Sequence, residues 1–572
     1  MKKIIYIFTI TLILMSCSDL LDIQPTNIIS EDAVKNDPVL VDAFLSKIYA
    51  NTRFRSGSTY SPDQALLHVM AGEANVFAGW QQPFAAAMKI IDENGAHSQA
   101  EYWPYGNIRS CHEIMDILTE ATFDPELVTA KIAEARWLRA FMYFELVKRY
   151  GGVPLILEAQ SIDQPIEELY VSRNSEKEIY DFVATEMDDL VNILPESYSN
   201  DTFGRPTKWA AYALKSRAML YAGSIAKYGT VQLDGILGIP AGEANSYYQK
   251  AYEASMEIIN GGLHPLYEDN SADPVANYGE IFINDGNSEV IFAEVYNLSL
   301  LKTHSWNMVC MPDGFQTGWG SNNWMYLEAW ERFEYKDGTS GIMDRGTLDG
   351  NTKFSIDSII TNRDPRFLAT AFYPEIPWQD RNVYLHSSTT GTIPDGSDWP
   401  KTAPKRNRIK AGMMIRKRVN EAIKLPIGGE DETDWVVFRT GEMYLNAAEA
   451  KFELGEVEEA RTLVNVIRSR ADMPDKASLS LEELRNERFV ELYIEEHRYW
   501  DIRRWRIAVD ELNGKGFKGV IWDYNIDDDK YTLKTKNADF GQIRTFAERN
   551  YYFPIGLDRI ADNPNLVENP DY

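Results

Sequence analysis

The chain has 572 residues, of which 44% are hydrophobic. It can therefore bury more than one core, or one large repeat-built body, and it is not a disordered chain. Its 58 basic and 86 acidic residues leave a net charge of −28. That balance argues against nucleic acid, which needs a positive footprint. It leaves the ligand open, because acidic surfaces chiefly serve solubility.

Met1 to Cys17 reads as a targeting segment. Lys2 and Lys3 form its positive end. Ile4 to Met15 is mostly apolar but too short for a span of about twenty residues. Leu14-Met15-Ser16-Cys17 resembles a lipobox, in which residues 1–16 are removed and Cys17 becomes the lipidated first residue. No later apolar run is long enough to span a membrane. Cys111 and Cys310 remain. An exported chain permits them to pair, but sequence alone cannot place their Cα atoms within bonding range. Free, buried thiols are the expectation.

Asp37-Pro38 opens a helix through Tyr49, and a second helix follows Trp103-Pro104-Tyr105. Asp124-Pro125 opens a longer one, which Gly151-Gly152 ends and Pro154 keeps from resuming. Ser175 caps a helix towards Leu194. Another starts at Lys208, and Ala244 to Asn260 is its partner.

Residues 265–438 differ in character. Proline, glycine, aspartate and asparagine are dense there, and helical periodicity is rare. Glu289 to Val295 reads as a strand and Trp324 to Glu334 as a helix. So long an irregular stretch usually carries function, and its aromatics argue against disorder.

Regularity returns at Arg439. Gly441 to Leu454 and Val457 to Ala471 form two helices joined at Gly455-Glu456, in a pattern that resembles a tetratricopeptide repeat. Ser480 and Glu483 have capping-box spacing. They predict one helix from Leu481 to Val509, stopping before Asn513-Gly514. Arg488 and Glu491, and Glu495 and Arg498, are opposite charges three residues apart along it, and the plain expectation for them is solvated ion pairs.

Glu487, Arg488, Glu491, Leu492, Glu496, Arg498, Trp500, Asp501, Arg503, Arg504 and Trp505 resemble the signature helix of the SusD/RagB family. The family's usual glycine before the arginine is His497 here. The segment ending in Arg149-Tyr150-Gly151-Gly152-Val153-Pro154, the Arg363-Asp364-Pro365-Arg366-Phe367 segment and the 553–572 terminus are similar to the family's other motifs, although Gly556, Glu568 and Asp571 replace more usual residues. The resemblance runs from about Cys17 to Tyr572. It implies a mostly α fold: a tetratricopeptide-like α-helical superhelix with a packed irregular subdomain of loops and short strands. It divides the chain into an N-terminal helical region (17–264), a loop-rich ligand-binding insert (265–438) and a C-terminal region (439–572). It also implies an outer-membrane lipoprotein that binds oligo- or polysaccharide and hands it to a TonB-dependent transporter. A peptide ligand, a tethered glycoside hydrolase and a pure scaffold are the alternatives.

No H-E-x-x-H, G-x-S-x-G or G-x-x-x-x-G-K-[ST] motif occurs, so no catalytic residue is assigned. No two histidines make a ligand pair at helical spacing, and no metal or cofactor is expected. Glu430-Asp431-Glu432 and Asp527-Asp528-Asp529 lack EF-hand spacing and read as solvated loop charge rather than calcium ligands. Trp306, Trp319, Trp324 and Trp330 lie within 25 residues, about six times the density of a uniform distribution. Flat aromatic faces beside amides suit sugar rings. Trp319 and Trp324 are the expected platforms, with Asn322 and Asn323 as hydrogen-bonding neighbours. Trp80, Glu73 and Trp306 are weaker candidates, and core packing is the alternative for each Trp. In the family, the early segment and the mid-chain loops face one shared surface.

Replacing Cys17 with Ala should release the protein from the outer-membrane fraction. Unchanged fractionation would remove the lipid anchor.

Overall fold

The computed structural model describes residues 31–55, 66–75, 91–96, 100–161, 163–199, 203–318, 320–387, 398, 412–539 and 541–572. Its frame is a run of antiparallel helices: α1 (Pro38–Asn51), α2 (Tyr105–Thr119), α3 (Pro125–Tyr150), α4 (Glu176–Leu190), α5 (Lys208–Tyr228), α6 (Ala244–Gly261), α7 (Thr440–Glu453) and α8 (Val457–Arg470). Local signals set their ends. The Asp37 and Asp124 carboxylates accept the amides of Val39 and Glu126, with proline in the first turn. Ser175 closes a capping box with Glu178. Gly262 leaves α6 at a φ of +71°, where a side chain would be strained. From α3 to α8 each helix packs on the next, and α6 packs directly on α7 across the 262–439 insertion. Gly223 lets α5 approach α6, because a Cβ there would meet the Tyr248 ring at 2.9 Å.

Among the described residues, strands are scattered over the rest: β1 (Ala74–Asn75), β2 (Val290–Glu294), β3 (Trp324–Met325), β4 (Asp349–Phe354), β5 (Ala371–Phe372), β6 (Met414–Ile415), β7 (Trp435–Arg439), β8 (Lys518–Asn525) and β9 (Lys530–Asn537). Two further ladders are only two residues long. β2 pairs with β7, which ties the two ends of the insertion together. The β8–β9 hairpin pairs through β9 with β4. β1, β3, β6 and β5 form one short antiparallel sheet in that order. A common apolar core runs from α1 through the insertion to Leu566. Among the described residues no helix is long and apolar enough to cross a membrane. Cys111 and Cys310 are both buried and are not bonded to each other.

The stretch from Leu481 departs most from expectation. Its capping box is present, with the Glu483 amide donating to Ser480 Oγ at 3.2 Å. The single helix is instead three pieces: α9 (Leu481–Glu491), α10 (Arg498–Arg504) and α11 (Ala508–Leu512). The acidic residues at the break are not solvated. Glu491 accepts from Arg439 (2.7 Å) and Arg366 (3.1 Å) and pairs with Arg470. Glu487 accepts from Arg366 (2.6 Å) and Arg468 (2.8 Å). Glu495 accepts from Arg439 (2.8 Å) and Lys417 (2.7 Å). Glu289 joins the same group through Arg439 (2.8 Å) and Arg470 (2.5 Å). Gly441 sits where these groups converge. A Cβ there would lie 2.2 Å from Arg439 Nη1 and 3.0 Å from Glu491 Oε1.

The same cations explain the break. Arg439 and the Tyr278 hydroxyl donate to the Glu491 carbonyl, Lys417 to that of Tyr493, and Arg418 to that of Ile494. These donors replace helix amides. Ile494 and Glu496 take φ values of +59° and +66°. For a β-branched residue that conformation is an outlier costing about 1–3 kcal/mol. Trp324 to Glu334 is a strand and then a single helical turn (Leu327–Trp330), not one helix. Asp431 is buried against His304 rather than solvated.

Burial alone would raise the Glu495 carboxyl. Arg439 and then Lys417 outweigh it and hold Glu495 at about 2. Glu491 is held lower still, against burial, by Arg470, Arg439 and Arg366. Both lie below the unfolded value of about 4.3. Their stabilisation is therefore complete above about pH 4.3 and is lost as the pH falls through about 2. The urea midpoint should fall steeply over that window. Arg366→Met, which strands Glu487 and Asp364, should cost about 3–5 kcal/mol at neutral pH. A flat acid profile, or a loss under about 1 kcal/mol, would mean that the network contributes little.

Candidate functional site

β1 and β3 bring the two candidate segments together. Asn75 is directly opposite Trp324, and Ala74 is opposite Met325. The early segment and the mid-chain loop thus share one sheet. Trp80, Trp319 and Cys17 themselves lie outside the described residues.

Trp324, Trp306, Asn322, Asn323 and Glu73 are all at most 1% exposed. The loop before β3 is threaded too closely to offer them to a ligand. Gly320 lies against the Met308 carbonyl, which a Cβ would meet at 1.8 Å. The Ser321 hydroxyl donates to the Met311 carbonyl (3.1 Å), and the Asn322 amide to that of Val309 (2.9 Å). Asn323 Nδ2 lies 3.0 Å from Cys310 Sγ. The Trp324 indole donates to the Ser321 carbonyl (3.1 Å). Trp306 donates to Lys417 O (2.8 Å) and packs edge-on against Trp435. Trp324 and Trp306 are core side chains here, not open platforms. Composition had marked them only by density, which cannot tell a stacking face from a packed one.

The outer side of the loop is different. Thr317 is exposed and donates its amide to the Pro426 carbonyl (3.2 Å), beside exposed Leu425 and Ile427.

Glu73 has a structural task. Its carboxylate bonds His68 Nδ1 (2.7 Å) and accepts the Ile494 amide (3.2 Å), and its carbonyl accepts from the Tyr493 hydroxyl (2.8 Å). It thus joins β1 to the broken signature segment. The sequence carried no sign of this, because Tyr493 and Ile494 lie some 420 residues away.

Pockets of about 550, 790 and 840 Å³ lie elsewhere. Their linings are rich in charged residues, and the only aromatic lining residue among them is Phe44. Among the described residues no group of three or more His, Cys, Asp or Glu is placed to hold a metal ion.

Comparison with known proteins gives two family matches. Residues 288–572 match the "SusD family" and residues 19–220 match "Starch-binding associating with outer membrane". The chain is 24% identical over 475 residues to the starch-binding protein SusD of Bacteroides thetaiotaomicron, covering 79% of this chain and 75% of that protein. Its fold resembles a crystal structure of a SusD-like protein from Bacteroides fragilis, with a TM-score of 0.73 and 25% identity over 96% of this chain and all of that one. It also resembles a laminarin-binding SusD-like protein, with a TM-score of 0.62 and 18% identity over 94% of this chain and all of that one.

Trp324→Ala should behave as a core truncation and lose about 3–5 kcal/mol in urea unfolding. Unchanged stability would show that the ring is not packed as described.

Proposed function

The chain belongs to the SusD/RagB family, and on that premise we propose that it is a surface-exposed outer-membrane lipoprotein that binds oligo- or polysaccharide and passes it to a TonB-dependent transporter. The pairing of Asn75 with Trp324 carries the proposal, because it anchors two aromatic-bearing segments at one place in the fold. The family descriptions support carbohydrate as the ligand class and the outer membrane as the site of action. Lipidation at Cys17 supplies the tether, and two or more acyl chains make it stable rather than reversible.

The work is binding, not turnover. The sequence holds no catalytic motif, and its relatives are described as binding proteins. Trp319 is the expected stacking platform, with Trp80 as a second. The helical frame is the docking body for the transporter, and a stable contact of that kind buries at least about 1,000 Å².

A stacking ring contributes about 1–3 kcal/mol. Trp319→Ala should therefore weaken the best ligand about tenfold or more in calorimetry against starch- and laminarin-type oligosaccharides, while the melting temperature stays put. Unchanged affinity would remove Trp319 from the site. Binding to peptides and to no glycan would replace the ligand class. Pull-down from gently solubilised membranes should recover a larger β-barrel partner, and repeated recovery of the protein alone with ligand present would count against the pairing.

A further inference from the structure

A small pocket of about 40 Å³ lies where α3, α5, β7 and the break before α10 meet. Arg55, Lys148, Arg149 and Arg217 line it, against Glu145, Glu495 and Glu496. Most of these charges are already paired. Glu145 is paired with Lys148 and Arg149, each at 2.5 Å. Glu495 is held by Arg439 and Lys417, and Arg217 by Glu442 at 2.6 Å. Arg55 is only half used. Its Nε donates to Glu294 (3.1 Å) and to the Tyr296 hydroxyl (2.8 Å), while its Nη1 is buried without a partner. The side chain is 9% exposed.

Of the charged side chains lining the pocket, four are basic and three acidic. The His497 ring lines it and holds a proton far more weakly than in water, first through burial and then through Arg217, Arg488, Arg439 and Lys148. Burial draws the Lys148 amine down to about 8, with Arg149 and Arg217 adding to it against Glu145.

We propose that this pocket binds one monoatomic inorganic anion of chloride size, held by Arg55 Nη1 and the surrounding cations. The volume has room for about three to four water-sized bodies at about 10–15 Å³ each, so no sugar acid or sulfated ring can enter. An anion only accepts hydrogen bonds, as the free guanidinium N–H requires. A water there must also place two protons of its own, and Glu145 and Glu495 are already engaged by cations. The ion also relieves repulsion among side chains from α3, α5 and the signature break.

Crystals of the purified protein soaked in sodium bromide test this directly. The expected result is an anomalous peak in the pocket within hydrogen-bond reach of Arg55 Nη1. Melting in sodium chloride should rise to a plateau about 1–3 °C above melting in sodium gluconate of equal ionic strength. Arg55→Gln should abolish that difference. Density for water alone, with identical melting in both salts, would overturn the site. If the variant does not fold, the bromide map and the wild-type melts still decide.

Discussion

Glu491 is the constraint on which most of the chain depends. It is a fully buried carboxylate shared by three arginines, Arg366, Arg439 and Arg470, each from a different segment. A buried charge without partners is costly, and the cost falls only when the geometry is complete. Each arginine is in turn shared, with Glu487, Glu495 or Glu289. The insertion, β7, α8 and α9 must therefore all be in place together. Apolar packing alone would tolerate small slips between them. A ring of shared, directional ion pairs does not.

The consequence reaches the candidate ligand region through few steps. Arg439 takes up the Glu491 carbonyl and helps end α9. Lys417 and Arg418 hold the carbonyls of the break, and Ile494 is left in a left-handed conformation with its amide free for Glu73. Glu73 leads straight into β1, which pairs with β3. The helical frame and the loop-bearing sheet are thus joined by a rigid polar link. A binding protein whose contacts sit on loops needs such a rigid support beneath them.

How much of this was legible depended on the range of the interactions. The helix ends at Asp37, Asp124, Ser175 and Ser480 were readable because a cap is made within three residues. The α7–α8 pair was readable for the same reason. The break at 492–497 was not. Leu481 to Val509 has good helical periodicity, and the groups that interrupt it come from residues 278, 417, 418 and 439. The β8–β9 hairpin did leave a signal. Val520 and Trp522 alternate, as do Tyr531 and Leu533, around the turn at 526–529, and the paired pattern went unread. In the site, the neighbourhood of segments 73–75 and 322–325 followed from the family resemblance. The burial of Trp324, Asn322 and Asn323 did not, since it comes from Gly320 and Ser321 folding back on Met308 and Met311.

A double-mutant cycle on Arg439 and Glu491 tests the central claim most directly. Urea unfolding would be measured for the wild type, Arg439→Met, Glu491→Gln and the double variant. If the shared ion pairs hold the segments together, the double variant will be less destabilised than the sum of the single ones by more than about 1.5 kcal/mol. Additivity within about 0.5 kcal/mol would contradict the account and return the organising role to apolar packing.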